Sequence, residues 1–146
     1  MRDRVFNYIT CNSQLLVFDH VAQPELTMQI PGGTVEFEES PECAAIREGR
    51  EETGIVKLEV KNFLGDFEKN LMHIGKNETI HAWFFHLEAI GSFPSRWRHF
   101  EQSPHDKGDA IEFELYWIHL VPKPAFGGID GAKYDRLMES VLCDVS

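Results

Sequence analysis

Residues 32–55 read GGTVEFEESPECAAIREGREETGI, and the architecture of the chain is decided there. The stretch opens on a glycine pair behind Pro31, where positive φ and close backbone approach are allowed. It then turns helical. The spacing predicts a helix from Pro41 to about Thr53, with Ser40 as N-cap and Pro41 at the first helical position, where a missing N–H costs nothing. Gly54 stands where a helix stop is expected.

Near that stop, Glu48, Glu51 and Glu52 fall at i, i+3 and i+4 and share one helix face. Like charges at these spacings repel by roughly 0.2–0.5 kcal/mol per pair. They also lie toward the C-terminal end, where the helix dipole disfavours anions. Arg47 relieves Glu51 at i+4, but one cation does not neutralise three acids. On an arbitrary helix this would be a solvated acidic face. A divalent cation reverses the sign of the problem, because hard ions such as Mg²⁺ or Mn²⁺ take oxygen ligands and clustered carboxylates supply them.

The full spacing is more particular. Gly33, five residues, Glu39, seven residues, Arg47-Glu48, then Glu51-Glu52, one residue, Gly54 and Ile55 resembles the Nudix box of the Nudix hydrolase superfamily. Seven fixed identities at fixed spacing arise by chance on the order of 10⁻⁸ per starting point at ordinary residue frequencies. One position departs: Gly49 stands where the family usually has an aliphatic residue. Glycine inside a helix costs about 1 kcal/mol. It also lets the helix lie close to a sheet beside Ala45 and Ile46.

The resemblance implies a metal-dependent hydrolase that cleaves the diphosphate linkage of a nucleoside diphosphate joined to another group. It implies that Glu48, Glu51 and Glu52 hold Mg²⁺ or Mn²⁺ together with the Gly32 carbonyl, with one glutamate free to act as base instead. Arg47 would orient a glutamate, and Glu39 would hold Arg47. Gly33, Glu39 and Gly54 would be structural support. Some members draw a further acid from a later loop. Glu101, Asp106, Asp109, Glu112 and Glu114 are candidates here, with Asp109 and Glu112 favoured because a loop-to-strand junction can face the site.

The whole chain is compatible with this. At 146 residues it is expected to form a single domain, 1–146, with a real core. Its 42% hydrophobic and 26% charged content are ordinary for a globular protein. No apolar run reaches ~18 residues, so neither a signal peptide nor a membrane span is expected. Cys11, Cys43 and Cys143 are odd in number and lack a CxxC spacing, so free thiols in a cytoplasmic setting are expected. The net charge of −10, without a basic stripe, argues against nucleic acid as a partner. The expected partner is a small-molecule nucleotide, brought to an acidic protein by metal; a homodimer is an option.

Outward from the box, residues 4–10 and 14–19 read as strands joined at Asn12-Ser13, and 27–30 as a short strand leading into the glycines. Residues 55–64 and 67–74 read as two strands, with a turn at 75–77. Residues 79–89 form the most apolar strand, hydrophobic on both faces and therefore placed centrally between helices. Residues 111–120 read as the last strand. Tyr134, Leu137, Met138, Val141 and Leu142 make an amphipathic helical stripe behind Gly127-Gly128. The expected fold is an α/β class, Nudix-like α/β/α sandwich with a mixed β-sheet between helices. Residues 91–109 read as a long loop with room for a short hairpin at 96–100, where Arg96, Trp97 and Arg98 are candidates for stacking a base and gripping phosphate.

The seven histidines show no metal-binding spacing. No proline lies between Pro41 and Pro94, which counts against an ADP-ribose enzyme. Nucleoside triphosphates, dinucleoside polyphosphates and nucleotide sugars stay open. The alternative from another class is a catalytically idle Nudix-fold sensor or protein-binding module. Such domains typically lose box glutamates, and this chain has them all.

Overall fold

The computed structural model describes residues 1–101 and 110–145. Seven strands form one mixed sheet: β1 (Arg2–Cys11), β2 (Gln14–His20), β3 (Gly32–Thr34), β4 (Leu58–Asn70), β5 (Thr79–Ala89), β6 (Arg96–Glu101) and β7 (Ile111–His119). Their order is β4-β5-β1-β2-β7-β6, with β3 paired to β1. The β1–β5 pair is parallel and the others are antiparallel. Helices α1 (Pro41–Thr53) and α2 (Tyr134–Val145) complete the α/β fold.

Alternation along the inner strands explains the layers. On β5, Phe85, Leu87 and Ala89 join the cluster that holds Ala44 and Ala45 of α1. Ile80, Ala82 and Phe84 join the cluster that holds Tyr134 and Leu137 of α2. A strand apolar on both faces is thus covered on both, as its composition requires. It sits second from the edge rather than at the centre, with β4 outside it.

The helix that carries the box forms as its sequence dictates. The Ser40 hydroxyl accepts from the Cys43 N–H at 3.1 Å, and Pro41 opens the first turn. Such a cap contributes about 1 kcal/mol. Gly54 ends the helix at φ 80°, in the left-handed region that glycine enters freely. Gly49 explains itself in the packing. A β-carbon there would lie 2.8 Å from Leu58 Cδ1 and 3.6 Å from both Asn7 Nδ2 and Leu87 Cδ1. The absent side chain lets α1 lie against the sheet, where Asn7 Nδ2 donates to the Ala45 carbonyl at 2.9 Å.

Three further expectations change. The strand expected at 27–30 is only a bridge between Gln29 and Phe18; the pairing with β1 comes one turn later, at Gly32–Thr34. The two strands expected over 55–74 are one, β4, kinked by irregularities between Val60 and Asn62 and between Phe63 and Gly65. Gly65 takes φ 127°, and a bulge there disrupts the alternation that would have joined the halves on paper. Residues 96–101, placed inside a loop, are an edge strand paired along β7.

Candidate active site

The site is built where β3, α1 and β6 meet. Glu48 and Glu52 are both buried, at 7% and 6% exposure, one turn apart on α1. Gly33 makes room for the first. A β-carbon on Gly33 would lie 2.2 Å from the Glu48 carboxyl carbon, so any side chain would displace the carboxylate. Gly32 holds the second, its N–H donating to Glu52 Oε2 at 3.0 Å. The glycine pair is therefore a cradle for two carboxylates.

Arg47 locks the arrangement from the side. Its Nε and Nη2 form a fork on Glu39 at 2.8 and 2.9 Å. Nη2 also donates to the Thr34 carbonyl at 3.0 Å. Nη1 donates to Glu48 at 2.8 Å and to Glu51 at 3.3 Å. The five N–H groups of the guanidinium thus each have an acceptor. The pairing holds the Glu39 carboxyl below its usual range and the Arg47 guanidinium above its own. Glu51 lies on the open side, its side chain 41% exposed.

A third acid arrives from β6. Trp97 Nε1 donates to the Thr53 carbonyl at 2.9 Å, and the His99 imidazole Nε2 lies 2.9 Å from the Glu51 carbonyl. These are two of the carbonyls a helix C-terminus leaves without partners. Strand alternation then puts Glu101 on the same face as Trp97 and His99. Among the described residues, Glu48, Glu52 and Glu101 each place a carboxylate oxygen within 4.8 Å of the others. Burial raises the Glu48 carboxyl to about 7 despite Arg47. Burial, then the neighbouring Glu101, raises Glu52 well above its ordinary value. Two buried carboxyls and a third within reach, with the cation beside them already committed to Glu39, form an all-oxygen donor set fit for a hard divalent cation. They line a cleft of about 700 Å³ that also takes in Arg2, Arg4, Glu36 and Phe37.

A model of the NUDIX domain matches residues 1–124. The chain belongs to the NUDIX family. The solved structures similar to it include a UDP-X diphosphatase, at 19% identity and a TM-score of 0.66 over 98% of this chain and 64% of that one. A NUDIX hydrolase from Nitrosomonas europaea aligns at 17% identity and 0.65 over 98% and 89% of the two chains. An ADP-ribose pyrophosphatase from Streptococcus suis aligns at 14% and 0.61 over 99% and 92%. At these identities the likeness shows the fold alone. The chain spans under two thirds of the UDP-X diphosphatase. No curated protein matches it in sequence.

Within this NUDIX domain, the residues singled out from sequence do not all meet. Gly32, Gly33, Glu48 and Glu52 share the cleft, with Glu39 and Arg47 behind them. Arg96, Arg98 and Glu112 do not reach it. They share the face of β6 and β7 opposite to Trp97, where Arg96 pairs with Glu114 at 3.1 Å and Arg98 with Glu112 at 3.7 Å. Arg96 also lies over the Tyr116 ring at 4.4 Å. Phosphate contact was expected of these two arginines; the pleat turns them away from the carboxylates. Trp97 faces the helix, but its indole is spent on the Thr53 carbonyl and on packing. Asp109, like Asp106, lies outside the described residues. Among the described residues, Glu101 is the later acid that meets the box; it lies at the end of a stretch expected to be loop, and the strand formed there by pairing to β7 aims it at Glu48 and Glu52. Arg2 and Arg4 also face the cleft; they belong to no motif, and only the pairing of β1 with β3 brings them there.

Proposed function

We propose that the protein hydrolyses the diphosphate linkage of a nucleoside diphosphate joined to another group, with Mg²⁺ or Mn²⁺ held by Glu48, Glu52 and Glu101. A nucleoside triphosphate, a dinucleoside polyphosphate or a nucleotide sugar all present that linkage. The observation that carries the reading is the meeting of the three carboxylates within 4.8 Å, in a cleft walled by the Nudix glycines.

Such a substrate is a polyanion and resists attack by nucleophiles. The cation supplies charge neutralisation at the diphosphate oxygens and a water acidified by coordination. The protein's own residues do the rest. Glu48 and Glu52 are kept short of solvent, which strengthens their hold on a cation once they ionise. Arg47 fixes the Glu48 rotamer and also holds Glu51, whose half-exposed side chain would have to leave this contact to serve as a further ligand or as base. The Gly32 carbonyl is a further candidate ligand. Chain 1–146 works as one catalytic unit on this reading, in a reducing cytoplasm in keeping with three cysteines that form no disulfide among the described residues. No helix among the described residues is long and apolar enough to cross a membrane.

The test is a panel of nucleotides incubated with Mg²⁺ or Mn²⁺ and assayed for every phosphate product. Turnover that vanishes with chelator supports the reading. Nucleotide-induced thermal stabilisation without turnover on any substrate would replace it with the sensor.

A further inference from the structure

The most exposed large apolar side chain among the described residues is Phe37, at 93%. The next most exposed aromatics, Phe100 and Phe63, are about half covered. A single exposed apolar residue is ordinary on a protein surface. Two observations set this one apart. Its ring stands at the rim of the cleft that holds Glu48, Glu52 and Glu101, and the backbone beneath it is fixed.

Residues 36–39 form a turn closed by the Glu39 N–H on the Glu36 carbonyl at 3.0 Å. Glu39 Oε1 accepts in return from the Glu36 N–H at 3.0 Å. That carboxylate is the one forked by Arg47, so the turn is tied to α1. On its other side the Val35 N–H donates to the Asp3 carbonyl at 2.9 Å, which ties it to β1. Glu38, the third residue of the turn, takes φ 63°, a left-handed conformation that glycine enters more readily. None of these bonds needs an aromatic ring at the second position of the turn, and water is a poor neighbour for one.

The charge around the ring selects what can cover it. Acids stand at 36, 38 and 39, so a terminal phosphate carried out over this rim meets like charge. A heteroaromatic base is uncharged there. It offers a flat face to the phenyl ring and N–H donors to the carboxylates beside it.

We propose that Phe37 stacks against a second base, on the far side of the diphosphate from the first nucleoside. Of the three substrate classes that present the linkage, the site then favours a dinucleoside polyphosphate. This rests on the carboxylate cleft being a diphosphate-cleaving site.

Three non-hydrolysable, methylene-bridged probes test it by calorimetry with Mn²⁺ present: a dinucleoside tetraphosphate, the nucleoside tetraphosphate left when its second nucleoside is removed, and a nucleotide sugar. The parent should bind the two-base probe about tenfold or more tightly than the one-base probe, the effect of one stacked base. Phe37→Ala should lose that difference and leave the one-base probe unchanged, and Phe37→Trp should keep or enlarge it. An unchanged melting temperature of Phe37→Ala shows that the fold survives. Equal affinity of the parent for the two nucleotide probes overturns the proposal, as does equal weakening of both by Phe37→Ala. A preference for the sugar probe that Phe37→Ala removes overturns it too, by placing a sugar face on the ring. Loss of self-association in Phe37→Ala, with every probe affinity unchanged, would assign the ring to a second copy of the chain and overturn it. If the parent binds the probes in the expected pattern but hydrolyses no nucleotide, the hydrolase reading fails and this one stands. If it hydrolyses nucleotides while Phe37→Ala leaves KM for dinucleoside and mononucleoside substrates alike unmoved, this one fails alone.

Discussion

Glu52 concentrates the tension of the site in one side chain. It is buried, it faces Glu48 and Glu101, and it accepts a hydrogen bond from the Gly32 N–H. Stability alone would favour a neutral group here, because a buried charge without a close cation is costly. Glu52→Gln keeps an oxygen for the Gly32 N–H and removes the charge. We expect nucleotide hydrolysis to fall by about 10²-fold or more while the metal-free melting temperature is unchanged or rises. A variant that retains parental kcat would mean that Glu52 holds no cation. Arg47 is the opposite case, a residue that stability and function both require. With Glu39, Glu48, Glu51 and the Thr34 carbonyl all drawn to one guanidinium, Arg47→Lys leaves a single ammonium to replace a planar fork. Both the melting temperature and kcat should drop, and a loss of kcat alone would show that Arg47 touches the reacting atoms instead of holding the glutamates.

At the scale of elements, β6 decides which acid completes the site. Its alternation sorts the side chains: Trp97, His99 and Glu101 toward α1, and Arg96, Arg98 and Phe100 away from it. Arg98→Ala should therefore leave KM and kcat within about twofold of the parent, since an exposed ion pair with Glu112 contributes at most ~1 kcal/mol to stability and none to the cleft. A raised KM would return phosphate binding to this strand. Trp97→Phe should cost about 1 kcal/mol by orphaning the Thr53 carbonyl. The box helix was legible from sequence to its caps, because capping chemistry and 3.6-residue periodicity are local. So were β1, β2, β5, β7 and the stripe of α2, where long apolar patterns leave few choices. β6 was not. RWRHFE alternates, but its exposed face is Arg96, Arg98 and Phe100 and its inner face Trp97, His99 and Glu101, so no run of aliphatics marks it. What makes it a strand is pairing to β7, a contact no window of sequence contains. Without the strand its alternation is invisible, so nothing in the sequence raises Glu101 above the other later acids. The same holds at β3, where three residues become a strand only because β1 lies alongside.

Across the whole molecule, the buried acids set how stability responds to pH. Glu48 ionises at about 7 in the folded chain, and Asp130 at about 6, both raised chiefly by burial; burial also raises Glu52 well above the ordinary carboxylate range. An acid whose folded value lies above its unfolded one binds a proton more tightly when folded. Its full stability is present below the ordinary carboxylate range and is lost as pH rises through the folded value. For Glu48 that window runs from 4.5 to about 7, on the order of 1–3 kcal/mol. Glu39 acts in the other direction, its lowered carboxyl giving stability that is lost as pH falls below the usual range. Metal-free protein should therefore be most stable in mildly acidic solution and should melt at lower temperature at pH 8 than at pH 5.5. A cation among the carboxylates cancels the repulsion only when they are ionised, so Mg²⁺ or Mn²⁺ should raise the melting temperature far more at pH 8 than at pH 5.5, and binding near pH 7 should release protons. Thermal melts at the two pH values, with chelator and with each metal, measure the first effect; calorimetry in buffers of different ionisation enthalpy measures the second. Glu48→Gln should flatten the metal-free slope and abolish most of the metal's gain. A metal-free protein whose stability climbs steadily from pH 5.5 to 8, with no proton release on adding metal, would mean that these carboxyls are already ionised and that burial at the heart of the Nudix helix does not restrain them.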